Sequence, residues 1–342
     1  MNKINLAVIF GGKSDEHEVS LSSAAGVIGA LNEEKYNIVY VAIRRDGKWL
    51  IGDDARKYLE LGNEFGIESR EVGAFLDGKD NALEKFIEKD VDLILPILHG
   101  PYGEDGKLQG LLDMFEMKYV FSKSLAHSIA MNKAKAKVIV EKVGVPVAAD
   151  KVIEKRSDLN KVVSEIDFPI VIKPLELGSS IGVSIAKNED EFEKGVSEAF
   201  KYDSKVILEE FVKGREFTVT VIGNENPEVL AVTEVLPMGS EFYDYKSKYE
   251  EGGSSHVCPA EISDEVASEM KRHALSAYQS IGCRDLSRVD FIWDEENEKI
   301  VFIEINTIPG MTPTSLAPEA AQVAGMNFTQ FLDRIIEGAM NH

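Results

Sequence analysis

The stretch KIVFIEINTIPG, residues 299–310, reads as a β-strand that ends in a Pro-Gly turn. Alternate side chains of a strand share a face, so Val301, Ile303 and Ile305 are expected on one side and Phe302, Glu304 and Asn306 on the other. The second face begins apolar and finishes in a carboxylate and an amide. A second strand, LSRVDFIW (286–293), precedes it across the acidic turn DEENE, and in it Arg288, Asp290 and Ile292 share a face. A hairpin that brings both polar tips to one side sets Asp290 opposite Glu304 and Arg288 opposite Asn306. Cross-strand Cβ atoms lie ~4.5–5.5 Å apart and like charges at that distance destabilise a sheet, so a positive charge is required between them. Two carboxylates and an amide oxygen are a hard, all-oxygen donor set that suits Mg²⁺ better than zinc and leaves room for water and phosphates. Acids simply solvated on a surface hairpin are the competing reading.

Upstream, the first third alternates strand and helix: INLAVIF, a helix over about 19–31, YNIVYVAIRR, and then VDLILPILHG. Apolar strands in βαβ order predict a mostly parallel sheet covered on both faces, with ligands gathered at the carboxyl ends of its strands. The segment SLAHSIAMNKAKAKVIVEKVGVP (124–146) carries a helical pattern stopped by Gly144 and Pro146. Beyond it come the strands FPIVIKP and IGVSIAK joined by LELGSS, a helix over EDEFEKGVSEAF, and the β-rich VILEEFVKGREFTVTVIG. The chain is therefore expected to form an N-terminal Rossmann-like α/β lobe over 1–121, an α+β lobe over 122–209 and a second α+β lobe over 210–342. Residues Gly239 to His256 fit neither periodicity and are expected to form a long loop.

Composition narrows the chemistry. A 342-residue chain exceeds one simple core. Its net charge of -21 opposes nucleic-acid binding, which needs clustered Lys and Arg. The two cysteines, Cys258 and Cys283, match no zinc or redox spacing, which points to a reducing compartment without structural metal. No run approaches the ~20 apolar residues that span a bilayer, and the opening NKINLAVIFGG reads as a first strand rather than a signal peptide, so a cytoplasmic protein without membrane partners is expected.

Phosphate-binding signals lie between the lobes. LELGSSIGVS places small residues between two strands, where backbone N–H groups reach phosphate oxygens, although Gly-Ser loops also make plain turns. Lys173 ends the apolar strand PIVIK, where an ammonium could reach phosphates, and Lys133 lies on the preceding helix; each alone is more often a solvated surface lysine. GGKS at 11–14 is not a phosphate loop, because Ala7 stands where the pattern demands glycine, and no GxGxxG supports a dinucleotide.

Taken in order, GGKSDEHEVSL, LHGPYGEDGKLQG, MNKAKAK, FPIVIKPLELGSSIGVS, ILEEFVKGREFTV, FYDYKSKY, CPA, SRVDF and EINTIPGMTPTSL resemble the D-alanine:D-alanine ligases of the ATP-grasp superfamily over nearly the whole chain. The resemblance implies an ATP-grasp fold and a homodimeric cytoplasmic enzyme that joins two D-alanines for peptidoglycan precursors at the expense of ATP. It assigns Asp290, Glu304 and Asn306 to two Mg²⁺ ions, for which Mn²⁺ would substitute. Lys133, Lys173, Lys248 and Ser180 would contact the ATP phosphates, Glu209, Glu210 and Val212 the adenine, and Glu216 the ribose. Glu16 would receive the first substrate's ammonium near His99, in a trio with Ser179 and Tyr249. Arg288 and the Gly310 N–H would stabilise the tetrahedral oxyanion, and Ser315 and Leu316 would hold the second D-alanine. The Pro309-Gly310 pair also suits a type II turn, where glycine tolerates positive φ. Tyr249 favours the dipeptide over D-alanyl-D-lactate. Related ligases for D-lactate or D-serine, and a nucleotide-binding module without turnover, are the alternatives.

Overall fold

The protein is described from a computed structural model over residues 3–65, 90–237 and 254–341. Three sheets form. In the first, β1 (Ile4–Gly11) runs parallel to β2 (Tyr36–Ile43) and β4 (Leu93–Ile97), and the short β3 (Trp49–Ile51) closes the edge antiparallel to β2. Strand β1 shows why both faces of this sheet are covered. Leu6, Val8 and Phe10 enter a core with α1 (His17–Ala30) and α2 (Asp53–Phe65), while Ala7 and Ile9 enter another with Leu108 and Leu112 of α3 (Lys107–Met114). This two-sided burial replaces the alternation of a half-exposed strand with a continuous apolar run.

The order β3-β2-β1-β4 reverses direction between β1 and β4. The loops leaving those two strands, residues 12–16 and 98–103, consequently diverge and leave a crevice at the sheet's carboxyl edge. Gly11 makes the exit from β1 feasible: φ is +89°, and a side chain there would strike the carbonyl oxygen of Ile43 at 2.3 Å.

The helical pattern expected over 124–146 resolves into two helices, α4 (Ser124–Met131) and α5 (Lys133–Lys142). Asn132 leaves helical geometry at φ -88°, ψ 94°, and its side chain accepts the Lys135 N–H to cap α5. The central sheet, ordered β5-β8-β6-β7, comprises β5 (Asp150–Glu154), β8 (Lys205–Glu210), β6 (Ile170–Pro174) and β7 (Ser184–Ala186). Helices α6 (Leu159–Val163) and α7 (Glu189–Ala199) bury one of its faces against Ile170, Ile172, Val206 and Leu208.

The third sheet, β11-β10-β9-β12-β13, is antiparallel throughout. It uses β9 (Arg215–Ile222), β10 (Glu228–Pro237), β11 (Ser254–Val257), β12 (Leu286–Asp294) and β13 (Lys299–Asn306). Its apolar face packs on α8 (Asp264–Ile281) together with Ala126, Ala130, Ala136 and Val140 of α4 and α5. The chain ends in α9 (Leu316–Val323) and α10 (Phe328–Met340), and Phe331, Leu332, Ile335 and Ile336 of α10 join the core of the first lobe. Among the described residues no helix is long and apolar enough to cross a membrane.

The ends of the chain are thus fastened together by packing. Replacing Phe331, which has no exposed surface, with Ala is expected to destabilise the protein by about 3–5 kcal/mol. The denaturant midpoint at unchanged slope measures it, and a loss within the error of extrapolation would separate α10 from the first core.

Candidate active site

The β12–β13 register places Asp290 opposite Glu304 and Arg288 opposite Asn306, as the alternation of polar residues predicts. One expectation fails. Phe302 does not share the face of Glu304, because the register shifts after Asp290 and Phe302 pairs with Phe291, leaving Ile303 as an extra residue. The bulge inverts the alternation, so Phe302 joins Ile300 and Ile305 in the core. Val301 instead faces the interlobe cleft.

Asp290 is the most constrained acid here. The guanidinium of Arg288 donates to both of its oxygens at 2.9 Å, Thr218 donates its hydroxyl at 2.6 Å from β9, and Asn306 donates at 3.0 Å. Glu304 faces other cations: Lys133 lies 3.8 Å away, and its charge reaches Lys173. The positive charge demanded between the paired acids is therefore partly supplied by the protein. Among the described residues no group of three His, Cys, Asp or Glu side chains forms a metal shell. What stands here is two carboxylates and the amide of Asn306.

The central sheet repeats this device. Asp150 and Glu209 are direct cross-strand partners, and like charges so placed repel. Lys137 bridges them, 3.0 Å from Asp150 and 2.8 Å from Glu209, with 1 % of its side chain exposed. Lys173 takes the other oxygen of Glu209 at 2.5 Å. Burial opposes the charge on Glu209, yet the two lysines outweigh it and lower its pKa to about 2. Burial likewise opposes charge on Lys173, but Glu209, with Glu304 and Glu216 beyond it, raises its pKa overall. Lys137 was missed in the sequence. Its signal is the spacing Lys133-x₃-Lys137, which puts both ammonium groups on one face of α5.

Lys133, the first residue of α5, also donates to the carbonyl of Leu177 at 2.5 Å, which ties it to the loop after β6. In that loop Ser179, Ser180 and Gly182 all have positive φ, and the Ile181 N–H returns to the Gly178 carbonyl at 3.3 Å, which makes a tight turn of small residues. Glu210, Val212 and Val301 line a cleft of about 360 Å³ between the second and third sheets, with Phe211 and Ala148. Glu216 lies on β9 opposite Ile292.

Across Arg288 lies the crevice of the first sheet. Glu16, immediately ahead of α1, is 4 % exposed and accepts a hydrogen bond from Ser179 Oγ, joining the first lobe to the central one. His99 is buried beside Ser23 Oγ at 3.3 Å; desolvation, helped by the Arg288 charge, lowers its pKa to about 4 and keeps it neutral. Glu104, which the sequence gave no role, lies here too: the Gly100 N–H donates to it at 2.7 Å. Lys248, Tyr249 and most of the loop expected over 239–256 fall outside the described residues.

Gly310 is glycine for a reason other than the one its Pro-Gly context suggests. Its φ does not lie in the positive region, whereas an added Cβ would approach Ser315 Oγ to 2.9 Å. Ser315 Oγ accepts the Thr312 N–H at 3.1 Å and stands at the N-terminus of α9, with Leu316 buried behind it.

Two antiparallel sheets that face each other across a cleft lined by lysines and acids, behind an α/β lobe, define the ATP-grasp fold. Models of the D-ala D-ala ligase N-terminus and C-terminus match residues 5–122 and 139–337. The D-alanine–D-alanine ligase of Chloroherpeton thalassium is 37% identical, covering 99% of this chain and 97% of the relative. Among solved structures, the VanG D-Ala:D-Ser ligase from Enterococcus faecalis superposes with a TM-score of 0.82 at 30% identity, covering 99% of this chain and all of that one. The ATP complex of the D-alanine–D-alanine ligase from Bacillus anthracis gives 0.77 at 29%, covering 100% and 98%. The chain belongs to the D-alanine–D-alanine ligase family.

Glu209→Gln would leave two buried ammonium groups short of their shared carboxylate, at a cost of about 3–5 kcal/mol at neutral pH. Because the folded pKa of Glu209 lies below its ordinary 4.5, its contribution is complete above that value and is lost as pH falls toward about 2. Denaturation midpoints should therefore differ most at neutral pH and converge in acid; a constant gap would mean Glu209 is not held by charge.

Proposed function

We propose that this chain condenses two D-alanine molecules into D-alanyl-D-alanine, converting ATP to ADP and phosphate. The observation that carries the reading is the position of Arg288. It is forked onto Asp290 beside Glu304 on one side, and on the other its charge acts on His99 and Glu104 in the crevice that holds Glu16. A phosphate-facing cluster and an ammonium-binding crevice thus meet at one guanidinium. Full-length relatedness to D-alanine–D-alanine ligases supports the substrate, and the ATP complex of the Bacillus anthracis relative supports the nucleotide.

The chemical obstacle is that a carboxylate is a poor electrophile. In the proposed reaction the donor carboxylate takes the γ-phosphoryl group of ATP and ADP departs. The acceptor's neutral amine then attacks the acyl carbon; the C–N bond forms, the C–O bond breaks, phosphate leaves with that electron pair, and the proton lost from nitrogen passes to solvent. Lys133 and Lys173, with the turned backbone of Ser179 and Ser180, bind and orient the phosphates. Electrostatic positioning of this kind dominates phosphoryl transfer. The adenine lies in the cleft lined by Glu210, Val212 and Val301, with Glu216 toward the ribose. Glu209 acts from behind, holding Lys173 and Lys137 in place.

Glu16 and Ser179 receive the donor's ammonium next to neutral His99. Arg288 and the Gly310 N–H face the oxygen that becomes negative when the amine adds; one such donor is worth ~100- to 1000-fold in rate. The acceptor's carboxylate sits at the N-terminus of α9, beside Ser315 and Leu316, where the positive end of the helix favours an anion. The donor set of Asp290, Glu304 and Asn306 fits Mg²⁺ in its hardness and placement beside the lysines. When bound there, the metal would supply positive charge to offset that of the phosphates.

Purified protein given ATP and D-alanine should yield ADP, phosphate and the dipeptide. D-Serine, D-lactate and L-alanine offered as acceptors should yield less product. Phosphate release with D-lactate or D-serine but not with D-alanine would replace the acceptor assignment. Glu304→Gln should nearly abolish turnover, and unchanged turnover would remove Glu304 from the metal and phosphate site.

A further inference from the structure

Gly100 is pressed between two carboxyl groups. Its N–H donates to Glu104 Oε2 at 2.7 Å, and a Cβ on it would stand 2.4 Å from Glu16 Oε2. With φ at +69°, the loop passes beneath the Glu16 carboxylate where only glycine fits. Acids from two different elements, one ahead of α1 and one ahead of α3, therefore converge at the crevice where β1 and β4 diverge. Glu104 keeps part of its surface open, unlike Glu16.

We propose that Glu104 and Glu16 together form the ammonium subsite for the donor D-alanine, and that the arriving ammonium displaces one proton from this pair into solvent. The proposal rests on the ligase reading above and adds a second carboxylate and a proton to it.

Two carboxylates against one buried loop do not both ionise cheaply. Desolvation and then the Glu16 carboxylate push the Glu104 pKa up to about 8, although the Gly100 and Ile308 N–H groups and the Arg288 guanidinium pull it down. Among the described residues, Arg288 is the cation that acts on it. His99, in the same loop, and His127, on α4, both stay neutral, with desolvation lowering them to about 4 and about 3. Asp105, next in the chain, is paired with Lys107. Ser179 brings a neutral hydroxyl from the central lobe. The Arg288 guanidinium is forked onto Asp290.

A substrate ammonium changes this balance, because it brings a full positive charge and three N–H donors to a site with two acids. Glu104–COOH then becomes Glu104–COO⁻ beside the ammonium, and its proton goes to bulk water. No covalent bond to the substrate forms or breaks in this step.

The test is proton counting. D-Alanine is titrated calorimetrically into the whole chain, without ATP, in buffers of different ionisation enthalpy. Binding should release about 0.9 proton per D-alanine at pH 7 and about 0.2 at pH 8.5, as follows for a group near pKa 8 that ionises on binding. Glu104→Gln keeps an oxygen to accept the Gly100 N–H; it should abolish the release and raise the donor KM about ten- to hundredfold, with less effect on kcat. Glu104→Asp should restore part of both. If Glu104 were only a brace for the Gly100 amide, binding would release less than about 0.2 proton at pH 7, and the proposal would be wrong. If D-alanine neither bound nor supported ATP turnover, the ligase reading would fall and this one with it.

Discussion

Repulsion between neighbouring carboxylates is the constraint around which this protein is organised. Asp290 faces Glu304 across one pair of strands, and Asp150 faces Glu209 across another. Each pairing would oppose sheet formation if left bare. Arg288 and Lys133 attend the first pair, and Lys137 and Lys173 the second. Lys137 comes from α5, which packs on the third sheet, so its bridge to Asp150 and Glu209 also ties the central sheet to the third.

The first lobe adds a third close approach of acids, Glu16 and Glu104, at the carboxyl edge of a parallel sheet. Here burial and the Glu16 charge raise the Glu104 pKa against the pull of Arg288, and in our proposal a proton offsets the repulsion. The three sites differ in what offsets the repulsion: a guanidinium, a pair of ammonium groups, and a proton. In the proposed reaction each choice suits a different occupant, and together they line one path from nucleotide to amino acid. Arg288, close to both ends of that path, links them.

Much of this could be read from residue order. The hairpin register followed from two polar tips needing a common side, and the two-sided burial of the first sheet from uninterrupted apolar strands. Lysine spacing on α5 held the signal for Lys137, but its partners Asp150 and Glu209 lie on strands brought together only by the sheet. The bulge at Ile303 was not legible. Alternation assumes a regular ladder, and the extra residue that puts Phe302 in the core is fixed by its pairing with Phe291. Nor was the break at Asn132, where a local cap overrides a continuous helical period.

The sequence by itself determined the strand and helix order, the polar hairpin tip and membership of the ligase family, because these rest on local periodicity and on long runs of matching residues. Only the tertiary structure decided which charges meet: Glu209 with two lysines, Glu104 with Glu16 across Gly100, and Gly310 against Ser315 rather than in a left-handed turn. The physical reason is range. Propensity and alternation act over a few residues, whereas these contacts join positions up to 88 apart in the chain (16 to 104), and their energies exist only once burial has removed the water that would otherwise screen them.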